Sequence, residues 1–85
     1  MSSHNNLGNA LYGKGDLDGA IAEFRTAIRL RPDDADAHYN LGLALEMKGD
    51  RLAASDEIEK ARELDPNDSS IAEAHERIRR ELKSS

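Results

Sequence analysis

Eighty-five residues make one small domain, and a chain of that size buries only about 60–65% of the surface its unfolded form exposes, so its core must be thin. It has no cysteine, which excludes disulfide staples, thiolate nucleophiles and cysteine-ligated zinc and leaves stability to packing alone. The formal net charge of -5 argues against nucleic acid, whose phosphates need a basic face, and apolar runs of only a few residues leave no membrane span and no signal-peptide core after Met1, so the expectation is a soluble, cytoplasmic protein.

Charged residues make up 34% of the chain and aromatics 4%, a balance suited to short amphipathic helices. Leu7, Ala10, Leu11 and Lys14 share one helical stripe, and Gly13-Lys14-Gly15-Asp16 supplies a glycine stop followed by an Asp N-cap. A second helix follows, with Leu17, Ala20, Ile21, Phe24, Ala27 and Ile28 at i, i+3, i+4, i+7 spacing until Arg31-Pro32 forbids continuation. Asp33 or Asp34 caps a third helix that runs to about Lys48. A turn at Gly49-Asp50 leads to a fourth, ending at Leu64 before Asp65-Pro66-Asn67-Asp68. The last segment is one amphipathic helix with Ile71, His75, Ile78 and Leu82 on its apolar stripe and Glu73, Glu76, Arg77, Arg80 and Glu81 facing away.

The first four helices are two copies of one plan. A shift of 34 residues aligns His4 with His38, Asn6 with Asn40, Leu7-Gly8 with Leu41-Gly42, Ala10-Leu11 with Ala44-Leu45, and Lys14-Gly15-Asp16 with Lys48-Gly49-Asp50. Ala20, Glu23, Ala27, Leu30, Pro32 and Asp34 recur as Ala54, Glu57, Ala61, Leu64, Pro66 and Asp68, giving 15 identities over 34 positions. A fixed period in this range signals one helical hairpin stacked on a copy of itself. Mid-helix Gly8 and Gly42 each cost roughly 1 kcal/mol against alanine, which reads as close approach of a neighbouring helix.

Residues 1–68 resemble the tetratricopeptide repeat, through His4, Leu7-Gly8, Leu11, Ala20, Phe24 and Pro32 and again through His38, Leu41-Gly42, Leu45, Ala54, Ile58 and Pro66. His stands where the family has Trp, Leu where it has Tyr, and Ile58 where it has Phe. The resemblance implies an all-α, right-handed α-α superhelix of five helices: repeats 1–34 and 35–68, then a helix over 69–85 that caps the stack. Arg51, Ser55 and Arg62 stand where the first hairpin has Leu17, Ile21 and Ile28, as expected of a flank released from apolar packing.

The family's concave groove holds an extended peptide or partner helix, and the resemblance places Asn5, Asn6, Asn9 and Tyr12 in it with Tyr39, Asn40, Leu43, Glu46 and Met47, and Ser70, Glu73, Arg77 and Arg80 from the last helix. A carboxamide both donates and accepts, so Asn6, Asn9 and Asn40 suit a peptide backbone of any sequence, with Tyr12, Tyr39, Leu43 and Met47 as apolar anchors. The family's carboxylate clamp is not expected, because Asn5, Ser70 and Ala74 stand at its basic positions. An asparagine ladder through Asn6 and Asn40 is closer.

His4, His38 and His75 lie on separate helices without the i, i+3 or i+4 pairing of a helical metal site, so His4 and His38 are expected at the hairpin crossings and no metal or cofactor is expected. No Gly-x-Ser-x-Gly or phosphate loop is present, and Asp56, Glu57, Glu59 and Glu63 read as a solvated face, so no enzyme activity is expected. The functional expectation is a protein-interaction module holding a protein or peptide segment. The alternative is a structural or self-assembling scaffold, natural, excised or engineered, that homo-oligomerises through its hairpins, because solenoids generally need about three repeats and capped ends.

Overall fold

A computed structural model describes residues 3–84; Met1, Ser2 and Ser85, at the outer ends of the expected units 1–34 and 69–85, lie outside the described residues. Five α-helices follow in order: α1 (Ser3–Lys14), α2 (Leu17–Leu30), α3 (Ala35–Lys48), α4 (Arg51–Leu64) and α5 (Ser69–Ser84). No strand occurs among the described residues. The architecture is an all-α superhelical repeat in which α1 pairs with α2, α3 with α4, and α5 closes against α4.

The helix boundaries have local chemical causes. Gly15 and Gly49 take left-handed φ values of 88° and 97°, a region that side chains with a Cβ avoid, and they stop α1 and α3. Asp16 and Asp50 then accept from the backbone N–H of Gly19 and Ala53 and start α2 and α4. Of the two candidate caps before α3 it is Asp34 that serves, accepting from Asp36 and Ala37, and Asp68 does the same for α5 through Ser70 and Ile71.

Each hairpin closes on a glycine. A Cβ built on Gly8 would sit 2.5 Å from Phe24 Cε1, and one on Gly42 would sit 2.6 Å from Ile58 Cδ1. The missing methyl is what lets α1 settle onto α2 and α3 onto α4 around these two fully buried side chains. Ala20 and Ala54, also fully buried, keep the facing helix close. The core then runs through Ile21, Phe24, Leu41, Ala44, Leu45, Ile58, Ile71, Ala74 and Ile78.

A second tie, polar, recurs with the same period. His4 Nδ1 lies 2.8 Å from Glu23 Oε1, and His38 Nδ1 lies 2.7 Å from Glu57 Oε1. His38 is 5% exposed, and its Nε2 donates to the Pro32 carbonyl at 2.9 Å, so one ring links α3, α4 and the inter-repeat turn. The histidines thus stand at the hairpin crossings. Glu57, however, is no part of a solvated face: it is half-buried on His38, while Asp56, Glu59 and Glu63 are exposed.

Two packing expectations need correction. Leu7 is 49% exposed whereas its repeat partner Leu41 is 3% exposed, because α3 packs against both α2 and α4, whereas among the described residues α1 has neighbouring helices only in α2 and α3. On α5 the buried residues are Ile71, Ala74 and Ile78, with His75 and Leu82 only half-buried, so the stripe runs one residue nearer Ala74 than its larger side chains suggested.

Leu41→Ala should therefore cost about 2–5 kcal/mol, and the same change at Leu7 under about 1 kcal/mol. Urea unfolding of the two variants measures the difference. Equal losses would contradict the different surroundings of these two repeat-equivalent leucines.

Candidate functional site

Helices α1, α3 and α5 supply the face expected to bind, and Tyr39 marks where they meet. Burial raises the pKa of its hydroxyl; Arg77 opposes this, and Asp68, Glu73 and Tyr12 reinforce it. Side chains of α1, α5 and the α4–α5 turn therefore lie within electrostatic reach of one residue of α3. Tyr12, Tyr39 and Leu43 are half-buried against the core, so their rings and methyls have one packed side and one open side. Met47 is 65% exposed, and Asn6 and Asn9 are exposed.

Part of the polar equipment is already engaged. Asn40 donates through Nδ2 to Asn5 Oδ1 at 2.9 Å, joining α3 to α1. Asn40 is thus already partnered by Asn5 on one of its donors. Arg77 reaches from α5 to α3, donating to Glu46 through Nη2 at 2.6 Å and Nε at 3.1 Å. Its guanidinium and the Glu46 carboxylate make a two-pronged bond, which holds Glu46 below the ordinary carboxylate range chiefly through the hydrogen bonds from Arg77 and holds Arg77 above its own ordinary value. A second bridge, Arg51 Nε to Glu81 Oε2 at 3.4 Å, ties α4 to α5. Arg62 reaches His75 Nδ1 at 3.3 Å.

These contacts explain the polar flank of α4. Arg51 and Arg62, which replace Leu17 and Ile28 of the first hairpin, meet Glu81 and His75 of α5, so the last junction is part apolar and part ionic. The Arg77–Glu46 pair was missed because sequence reading placed both residues on the binding face and paired neither. The available signal was their opposite charges on α3 and α5. Among the described residues no group of three or more His, Cys, Asp or Glu side chains is placed to hold a metal ion, and no helix is long and apolar enough to cross a membrane.

Two family models match the chain: one described as TPR repeat over residues 8–49, the other as tetratricopeptide repeat over residues 35–68. Together they span residues 8–68, well over half of the 85 residues. The chain is a tetratricopeptide repeat protein. Repeats of this family mediate protein–protein interaction. Among solved structures it is similar to one described by the molecular features of the UNC-45 chaperone critical for binding and folding muscle myosin, with 26% identity, a TM-score of 0.88 and coverage of 94% of this chain and 9% of that one. It is also similar to the C-terminal TPR-containing domain of a Plasmodium falciparum protein described as an FK506-binding protein, with 26% identity, a TM-score of 0.87 and coverage of 95% of this chain and 54% of that one. This tetratricopeptide repeat chain thus spans from about a tenth to about half of the length of these two structures. No curated protein matches it at a significant level.

The Arg77–Glu46 bond makes a pH-dependent prediction. The folded state lowers the Glu46 pKa from its ordinary 4.5, so the pair's stabilisation is present above that value, declines as pH falls through the depressed folded pKa, and is gone once Glu46 is protonated in both states. A double-mutant cycle of Glu46→Gln with Arg77→Met should give a coupling of about 0.5–1 kcal/mol at neutral pH. Urea unfolding repeated at successively lower pH should show that coupling vanish. A coupling that persists in strong acid would contradict the charge-assisted bond.

Proposed function

We propose that the concave face of α1, α3 and α5 holds an extended protein or peptide segment, with Asn6 and Asn9 offering free carboxamides to its backbone and Tyr12, Tyr39, Leu43 and Met47 taking its apolar side chains. The supporting observation is a division of labour across that face. Asn5 bonds to Asn40 and Arg77 to Glu46 across helices, while Asn6, Asn9 and Met47 remain exposed. In this reading Asn5, Asn40 and Arg77 set the spacing of the helices, and Asn6 and Asn9 meet the ligand. A rigid face with a few exposed polar groups lowers the ordering cost of capture. UNC-45, one of the structural neighbours, is described as a chaperone that binds and folds muscle myosin, a protein client, which is consistent with this class of partner.

The proposal has a direct test. Peptides selected by the wild-type chain from a random display library should shift the amide signals of Asn6, Asn9, Tyr12, Leu43 and Met47 in NMR titration. The Asn6→Ala/Asn9→Ala double variant should weaken those peptides by about tenfold, the loss of one or two backbone hydrogen bonds, with its melting temperature nearly unchanged. Selected peptides that bind the double variant equally well, or whose shifts map to α2 and α4, would overturn the groove reading.

A further inference from the structure

The three histidines sit among different partners, and the partners fix how many protons each ring carries. A neutral imidazole has one N–H and one bare nitrogen; only the charged ring donates from both. Among the described residues His4 bonds through Nδ1 alone, to Glu23, and a neutral ring with its proton on Nδ1 satisfies that contact. His75 is set the other way. Its Nδ1 lies 3.3 Å from Arg62 Nη1, a guanidinium nitrogen that can only donate, so Nδ1 is bare and the proton is on Nε2, toward Glu59 Oε1 at 4.0 Å. His38 fits neither state, because both its nitrogens face acceptors: the Glu57 carboxylate at 2.7 Å and the Pro32 carbonyl at 2.9 Å. A proton on Nδ1 alone sets the Nε2 lone pair against the carbonyl oxygen. A proton on Nε2 alone sets the Nδ1 lone pair against the carboxylate. The ring is buried, where an unmade bond costs most.

We propose that the His38–Glu57 pair holds, at neutral pH and just above, one proton more than a neutral imidazole and a carboxylate would, and that this proton lets one ring tie α3 to both α4 and the inter-repeat turn. It sits on the ring, because imidazole is a stronger base than a carboxylate by about two pH units. The other charged groups around it are Lys60 of α4, whose Nζ lies 4.0 Å from Glu57 Oε2, Asp34 at the cap of α3 itself, and Arg31 at the end of α2, next to the bonded Pro32. Among the described residues α1, α2 and α5 contribute no hydrogen bond or ion pair to the ring, so Glu57 is its counter-charge. Loss of the proton leaves one bond. The charge-assisted bond to Glu57 is the stronger, so the Pro32 carbonyl is the partner given up, and the turn loosens while α3 stays on α4. The folded chain thus holds a proton that an unfolded histidine has lost above about pH 6.5, and stability falls as pH rises from there. The His4–Glu23 tie, its repeat equivalent, is satisfied uncharged and has no such dependence.

NMR of the imidazole nitrogens in the isotope-labelled full-length chain reads these states directly at about pH 7.5, one unit above the ordinary histidine value. His38 should show two protonated nitrogens, His4 one at Nδ1 and His75 one at Nε2, with the Glu57 carboxyl carbon ionised. Glu57→Gln supplies a carboxamide N–H that donates to a bare Nδ1, so His38 of this variant should carry one proton, on Nε2, and keep its bond to Pro32. In urea unfolding the wild-type unfolding constant should rise with pH above about 6.5, approaching tenfold per pH unit relative to Glu57→Gln at its steepest. Glu23→Gln should leave the wild-type slope unchanged. The amides of Asp33 and Asp34 should shift with the same midpoint as the loss of the His38 proton. A bare nitrogen on His38 beside an ionised Glu57 would overturn the proposal, and the wild-type spectrum decides this even where a variant unfolds. So would a Glu57→Gln chain whose stability follows pH as the wild type does, or a slope that disappears with Glu23→Gln instead.

Discussion

The rest of the structure depends on how close two helices can come at Gly8 and Gly42. Phe24 and Ile58 occupy the space a methyl would take, and a Cβ there would meet them at 2.5 and 2.6 Å. Close packing in that region fixes the depth and rotation of α1 on α2 and of α3 on α4. The polar contacts follow from that rotation. His4 and His38 come within hydrogen-bonding distance of Glu23 and Glu57 because each histidine lies four residues, about one turn, before its glycine. The turns are set by the same geometry, with Gly15 and Gly49 reversing the chain so that Asp16 and Asp50 cap the return helix. One close approach, made twice at a spacing of 34 residues, therefore carries the register of four of the five helices.

Its two ends are built differently. At the α5 end the chain replaces aliphatic side chains of α4 with Arg51, Ser55 and Arg62 and meets them with Glu81 and His75, while Ile71, Ala74 and Ile78 fill the apolar remainder. Such a junction is selective: exposed ion pairs add little stability each, but they penalise a neighbour that lacks the matching charge. At the α1 end no such substitution has occurred. Leu7, Ala10 and Lys14 keep the identities that their equivalents use inside the stack, so the outer face still has the composition of an internal one.

Most of the fold was legible in the sequence because its signals are local and duplicated. Glycine stops, aspartate caps, proline breaks and the 3.6-residue stripe of Ile21, Phe24 and Ile28 each act within a few residues, and the second copy checks the first. What was not legible required knowing who the neighbour is. Leu7 and Leu41 are identical in sequence context yet differ from 49% to 3% exposed, and only the order of helices in space distinguishes them. Glu57 looked like part of an acidic surface because Asp56, Glu59 and Glu63 surround it; its role was visible only in the recurrence of Glu23 and His4 at the same period. In the candidate site the residue types were legible and their partnerships were not. Asn40 pairs with Asn5, one position from its repeat equivalent Asn6, a partnership that only the placement of α1 beside α3 reveals.

These partnerships bear on what the proposed groove can recognise. Asn40 spends a donor on Asn5, and Glu46 and Arg77 spend their charges on each other, so the face is held by bonds between helices. The Arg77–Glu46 pair is half-exposed on the Arg77 side, and a strongly acidic or basic ligand would have to compete with it for either charge. The proposed groove therefore favours a segment that brings backbone amides to Asn6 and Asn9 and an apolar side chain to Tyr39, Leu43 and Met47, and it discriminates by shape and desolvation more than by net charge. The overall charge of -5 acts at longer range, on encounter more than on the docked state.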